Sequence, residues 1–234
     1  MPPPEKIEIK LAFMSEDTAK VFAVLGLSDP PQEERRIHFF DTGNLALFDR
    51  GLILRVRQTV AGSDPDDATL EVRRAAAPDA ASRFSATAGG GVKFEHDQNL
   101  GREEAPSFSL TTEPGAAAIA AVVTDVEKLE SVLNEAGITL LHEIGGAEAD
   151  PAVIKCLGPI RSRIWKFKLD GFTGKITAEL WDVAGAQLLE ISDKAFRTEA
   201  SAVAEPLKNL MHESKARQLD TSKTRFALEL LVPK

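Results

Sequence analysis

The chain has 234 residues, 43% hydrophobic and 27% charged, which is ordinary globular composition with enough apolar material for a substantial core. A formal charge of −8 argues against a general nucleic-acid binder, and no apolar run approaches the roughly 18 residues that a membrane span needs. The single cysteine, Cys156, leaves no internal disulfide, and Met1-Pro2-Pro3-Pro4 lacks the basic and apolar regions of a secretion signal. The expectation is a cytoplasmic protein with no membrane and no nucleic-acid partner.

The first strand is Lys6-Ile7-Glu8-Ile9-Lys10-Leu11, with Ile7, Ile9, Leu11 and Phe13 on one face and Lys6, Glu8 and Lys10 on the other. Ser15 then precedes Glu16 and Asp17, predicting a capped helix to Leu25 with Gly26 as its stop. Residues 35–42 read as a strand and Asp41-Thr42-Gly43-Asn44 as the turn after it. Strands over 52–60 and 67–74 form a predicted hairpin around Gly62-Ser63-Asp64-Pro65-Asp66-Asp67. Residues 75–91, rich in Ala, Ser and Gly, read as a mobile excursion with a turn of helix.

A second helix is expected from Thr124 to Ala136, with Gly137 as its cap. Strands follow at 138–144, 152–157, 160–169, 174–183 and 186–194, then helices at 198–213 and 222–231. No linker divides the chain, so one domain is expected over 1–234, its core about 5–232. Many strands with few helices predict an α+β protein dominated by an antiparallel sheet.

Several strands repeat the charge alternation. Pooled, their polar faces carry Lys6, Lys10, Arg55, Arg57, Arg73, Lys93, Arg161, Arg163 and Lys194 against Glu8, Glu71, Glu95, Glu179 and Glu190. A net-basic face on an acidic chain, with carboxylates interspersed, suits a polyanion bound together with a divalent cation. In a half-solvated sheet such a face points to water, and in a barrel with a wet lumen it points inward. Periodicity leaves both open.

Bland readings account for other residues. His38, His96, His142 and His212 show no zinc spacing, and Gly89-Gly90-Gly91 is followed by no Gly-Lys-Ser/Thr phosphate loop. Trp165 and Trp181 read as core or barrel-wall residues and Cys156 as packing. Lys166 and Lys168 stand out of phase with Arg161 and Arg163, which predicts a bulge or an outer location.

Lys6-Ile7-Glu8-Ile9-Lys10 resembles the Glu-x-Glu-x-Lys signature of the CYTH family, the triphosphate tunnel metalloenzymes. The stretch His38-Phe39-Phe40-Asp41-Thr42 running into Arg50-Gly51-Leu52-Ile53-Leu54-Arg55-Val56-Arg57 is a closer match, and Ser222-Lys223 resembles the end of many members. The resemblance implies an eight-stranded antiparallel β-barrel, a tunnel with flanking helices, that hydrolyses inorganic, thiamine or nucleoside triphosphate with Mg²⁺ or Mn²⁺. It also implies that Lys10 is catalytic, that Arg55, Arg57, Arg73, Arg161, Arg163 and Lys194 bind phosphate, and that Glu8, Glu95, Glu179 and Glu190 are metal candidates.

Two positions depart from the signature. Lys6 stands where the family has a glutamate, and Ser192 where many relatives have another. They motivate an alternative, a weakened module that binds polyphosphate or nucleotide without hydrolysis. A class IV-like adenylate cyclase is the second alternative.

Overall fold

The computed structural model describes residues 6–85, 91–168 and 175–232. The expected core edge at residue 5, residues 86–90 of the excursion and two strand ends at 169 and 174 lie outside them. Among the described residues nine strands close into one barrel: β1 Lys6–Phe13, β2 Glu33–Thr42, β3 Leu52–Ala61, β4 Asp67–Arg73, β5 Val92–Asn99, β6 Ala105–Thr112, β7 Ile154–Phe167, β8 Ile176–Val183 and β9 Ala186–Phe196. Their order around the barrel is β1-β5-β6-β4-β3-β2-β7-β8-β9, with β9 closing onto β1. Among the described residues seven α-helices accompany them: α1 Ser15–Leu25, α2 Ala46–Asp49, α3 Ala77–Phe84, α4 Ala116–Thr124, α5 Glu135–Gly145, α6 Ala200–Ser214 and α7 Lys223–Leu231.

The apolar strand faces point outward and are covered by helices. Ile7, Ile9 and Leu11 pack with Val21 and Leu25 of α1 and with Val203, Leu207 and Leu210 of α6. On the opposite wall Leu52, Leu54, Val56, Leu70 and Val72 pack under residues of α3, α4 and α5. Each such side chain contributes about 1.5–3 kcal/mol on burial. That gain assigns the apolar face to the helices and leaves the charged face for the lumen.

Along the axis the inner face changes character. At one end it is apolar: Ala12, Phe39, Ile53, Val183 and Leu188 pack with Ala227 and Leu228, so α7 stoppers the barrel. Two residues further along each of these strands stand Lys10, Ile37, Arg55, Trp181 and Glu190, and the charged lumen begins.

The barrel with flanking helices is as expected; the strand count is nine rather than eight, and β1 and β5 run parallel. The strand passed over is β6. Its inner positions are Ser107, Ser109 and Thr111, which give no charge alternation. Residues 138–144 are helical, not a strand. Asn134 caps α5 by accepting from the Gly137 N–H at 2.8 Å, so Gly137 opens that helix rather than ending the previous one. Leu140 and Leu141 bury against the β3–β4 wall, and that packing outweighs the β-propensity of Ile138 and Thr139. The expected helix over 124–136 is instead the end of α4, a 3₁₀ segment Val126–Val132 and the start of α5. The predicted strands at 152–157 and 160–169 are one strand, β7, with a register shift on β2 between Ile37 and Phe39. Ser15 is the first helical residue, and its hydroxyl donates to the Gln187 carbonyl instead of capping.

Candidate active site

The inner faces enclose a cavity of about 280 Å³. Seven cations line it: Lys10 from β1, Arg55 from β3, Arg57 from β3, Arg73 from β4, Lys93 from β5, Lys194 from β9 and Lys223 from α7. Six carboxylates interleave with them: Glu8, Glu71, Glu95, Asp97, Glu179 and Glu190. The balance is +1, below the +4 that the pooled strand faces imply, because the lumen leaves out Lys6, Arg161 and Arg163 and adds Asp97 and Lys223.

Lys10 sits between two carboxylates on adjacent parallel strands. Its Nζ lies 3.2 Å from Glu8 and 3.0 Å from Asp97. Burial alone lowers the ammonium's pKa, but the fields of Glu8, Asp97, Glu190 and Glu71 more than reverse it, so Lys10 is held well above the usual lysine range. Burial likewise raises Asp97, and Lys10, Arg73 and Lys194 overcome it, leaving this carboxyl below its ordinary range. Arg73 approaches Glu71 at 3.4 Å and Asp97 at 3.9 Å, while Arg55 stands 3.8 Å from Glu71. Arg57 is tied more firmly, donating from Nε to both oxygens of Asp67 at 2.8 and 3.0 Å. Lys194 lies 2.6 Å from Glu95 and 4.0 Å from Glu8; burial lowers its pKa, but the two glutamates more than offset this, so it stands raised.

Lys223 forms a second centre. The first residue of α7 is 4% exposed and reaches into the lumen. Its Nζ lies 2.5 Å from Glu179, 3.1 Å from Glu190 and 4.1 Å from the centroid of the Trp181 ring. Glu179 also accepts from Ser162 Oγ and Trp181 Nε1, each at 2.7 Å. Burial pushes this carboxyl up, but Lys223 and the two neutral donors prevail, and its pKa falls far below the ordinary range.

The structure thus gathers Lys10, Arg55, Arg57, Arg73, Lys194, Glu8, Glu95, Glu179 and Glu190 around one lumen. It does not bring Arg161 and Arg163 there. Ser162 faces inward to Glu179, so its neighbours face outward, where Arg161 meets Glu34 at 2.9 Å and Arg163 meets Asp182 at 2.8 Å. A phase change of one residue separates the expected face from the observed one. Lys6 shares the inward phase of Glu8 but lies exposed at the rim, 5.3 Å from the Phe196 ring centroid. Ser192 stands directly across from Lys10. Cys156 pairs with Phe40 in the β2–β7 ladder, and burial pushes its thiol up to about 11.

Sequence reading missed Lys223 and Asp97 as site residues. Asp97 is two residues beyond Glu95 on the same strand, so the alternation rule extended by one step reaches it. Lys223 was visible only as a helix-start motif. The Phe-Asp-Thr block, by contrast, is architectural. Asp41, 3% exposed, accepts from the backbone N–H groups of Thr42, Leu47 and Phe48 at 2.7, 2.9 and 2.9 Å and so seats α2.

No family model matches the sequence, and no match is found among the curated proteins. Solved structures do match. A candidate adenylyl cyclase from Hippeastrum, described with a dominant triphosphatase activity, superposes with a TM-score of 0.64 at 19% identity over 97% of this chain and 96% of that one. A candidate adenylate cyclase from Bacillus halodurans gives 0.61 at 14% identity, over 95% of this chain and 99% of that one. The chain shares the fold of these two structures, here a closed tunnel with flanking helices. Within that tunnel fold, the charged lumen and its α7 stopper are this chain's own residues, described above. No described helix is long and apolar enough to cross a membrane.

Proposed function

We propose that this protein hydrolyses a triphosphate in the lumen, with a divalent cation, Mg²⁺ or Mn²⁺. The supporting observation is the convergence of seven cations from five strands and a helix on one cavity that is closed at one end. A triphosphate presents several adjacent negative charges, and phosphoryl transfer needs positioning and fixed countercharge more than covalent chemistry. The Hippeastrum neighbour's triphosphatase activity favours the same reading.

In this reading Arg55, Arg57 and Arg73 hold phosphoryl oxygens through planar, bidentate forks. Lys194 and Lys223 add point charges. Lys10 is protonated at neutral pH, so it acts as a fixed cation against the reacting phosphate rather than as a base. Water attacks the terminal phosphoryl group, and the leaving pyrophosphate is neutralised by the remaining cations.

The donor chemistry fits a hard cation in part. Among the described residues no three carboxylates or imidazoles converge as a ready-made cage. Mg²⁺ needs only one or two carboxylates, completed by phosphate oxygens and water. Two pairs of that kind exist: Glu8 opposite Asp97, and Glu179 opposite Glu190. These are the residues that would hold the ion, with Glu95 beside the first pair. When bound, the cation supplies further charge neutralisation on the phosphoryl oxygens.

A second reading is the binding module. It is favoured by the same two pairs, each already clamped on a lysine, Lys10 or Lys223. Phosphate release from inorganic triphosphate, thiamine triphosphate and ATP, in Mg²⁺, Mn²⁺ or EDTA, decides between them. Metal-dependent release supports the hydrolase. Binding of triphosphate without release in any metal supports the module, and cyclic AMP from ATP would overturn both. A cytoplasmic location belongs to this proposal too, on the single Cys156 and the nature of the substrate.

A further inference from the structure

Beyond Arg57, toward the open mouth, the inner face carries a cluster with no role in the site above. Arg35 lies on β2 directly between Thr59 of β3 and Ser162 of β7. It shares the inward phase of Ile37, which lines the cavity and pairs with Arg57. Arg35 is 8% exposed. Its guanidinium is held by two carboxylates, Glu33 from its own strand and Asp64 from the β3–β4 turn. Glu33 is already matched by Lys166, also on an inward position of β7.

Two buried donors here have no partner: Arg35 Nε and Thr59 Oγ1. A buried donor left unsatisfied costs free energy, so both groups gain from an acceptor placed between β2 and β3. The two carboxylates differ in kind. Glu33 is 7% exposed at the root of the turn, where a Cβ on Gly62 would come within 2.9 Å of its Cγ. Asp64 is 41% exposed on the turn itself. It is the one that an incoming anion can displace.

We infer that Arg35 and Thr59 form an outer phosphate subsite, covered by Asp64 until a phosphate of the substrate replaces that carboxylate. The inference rests on the triphosphate reading and extends it to chain length. Thr59 stands four residues along β3 from Arg55, about 13 Å in an extended strand. A pyrophosphate held at Lys10 and Arg55 is too short to reach it, and each added phosphate brings the chain closer. The resting turn therefore competes with long substrates and is indifferent to short ones.

The test measures dissociation constants of pyrophosphate, triphosphate and tetraphosphate by calorimetry in EDTA, where nothing is hydrolysed. For Asp64→Asn, tetraphosphate binding tightens about three-fold, as expected for loss of a half-exposed competing carboxylate, and pyrophosphate binding is unchanged. Arg35→Gln weakens tetraphosphate, and in that background Asp64→Asn has no further effect. Since Arg35→Gln removes one of the two cations on Glu33, Thr59→Val repeats the test with a milder change. Glu205→Gln, the same charge change on the exposed face of α6, is the control. Equal tightening at every chain length, or tightening matched by Glu205→Gln, reduces Asp64 to a general electrostatic effect and overturns the subsite. Wild-type protein that binds none of the three anions overturns the triphosphate reading itself, and the subsite falls with it.

Discussion

Lys223 Nζ lies 2.5 Å from a Glu179 oxygen and 3.1 Å from one of Glu190, two carboxylates that face each other across β8 and β9. One helix therefore does two jobs: Ala227 and Leu228 stopper the barrel, and the first residue of α7 delivers the cation that holds Glu179 ionised. Removing one partner of such a buried set strands the other charges. Lys223→Met is expected to cost about 2 kcal/mol at neutral pH, discounted from the usual buried-pair loss because Glu179 keeps 23% exposure. Urea unfolding measures the loss. An unchanged midpoint would show that water already satisfies both glutamates.

The same pairing sets the acid limit. Glu179 and Asp97 are held below their unfolded values, Glu179 by Lys223 and Asp97 by Lys10, in each case against burial. A depressed carboxyl contributes stability that is complete above its unfolded pKa, about 4, and disappears as pH falls through the folded value. Urea midpoints are thus expected to hold from about pH 7 to 5 and to drop steeply below about 4. Glu179→Gln lowers the plateau but flattens the drop. A parallel downward shift at every pH would mean that Glu179 contributes through packing alone.

Arg55 and Arg57 point into one lumen but are held differently. Arg57 is locked to Asp67 through two hydrogen bonds, whereas Arg55 approaches Glu71 only at 3.8 Å and its buried Nε has no partner. The looser group has more to gain from a phosphate. Loss of one preorganised donor to a developing charge costs about 10²–10³ in turnover. Arg55→Ala is expected at the top of that range and Arg57→Ala below it, both with wild-type circular dichroism. The reverse order would make Arg57 the primary phosphate ligand.

How far the sequence reached follows from what each residue signals. Charge alternation exposed β1, β3 and β4, because charged side chains at alternate positions of an otherwise apolar strand have few readings. It was silent on β6, whose inner face is serine and threonine, and it misplaced β7, where Arg161 and Arg163 are the conspicuous residues but Ser162 and Lys166 face in. Which face is inside was open until the helices were placed, since α1, α3, α4, α5 and α6 occupy the apolar side. Lys223 was legible as the start of a helix, but nothing local says that the helix ends in a barrel.

Lys6 stands where the signature has a glutamate and so motivates the alternative of a weakened binding module. It lies exposed at the rim over Phe196, and the cations that reach Glu8 are Lys10 at 3.2 Å and Lys194 at 4.0 Å. Screened by water at that distance from the centre, its charge steers anions more than it acts on chemistry. Lys6→Glu is expected to raise KM about two-fold or more at low salt, with the effect fading at high salt, and to leave kcat unchanged. A large gain in kcat would restore the view of Lys6 as a lost metal ligand.

Asp41 belongs to the block that most specifically matched the tunnel family, yet its work is structural. Its carboxylate accepts from the N–H of Thr42 at the end of β2 and from those of Leu47 and Phe48 in α2, and at 3% exposure water cannot replace it. Net loss per hydrogen bond to a charged acceptor is about 1.5 kcal/mol, and relaxation of the turn recovers part of it, so Asp41→Ala is expected to cost about 3 kcal/mol. For a chain of this length that is a fall in Tm of about 6–12 °C. Asp41→Asn keeps one acceptor oxygen and should lose about half as much. Neither change touches the lumen, so phosphate release per folded molecule stays at the wild-type value below the transition. A loss of turnover with an unchanged Tm would return Asp41 to the active site.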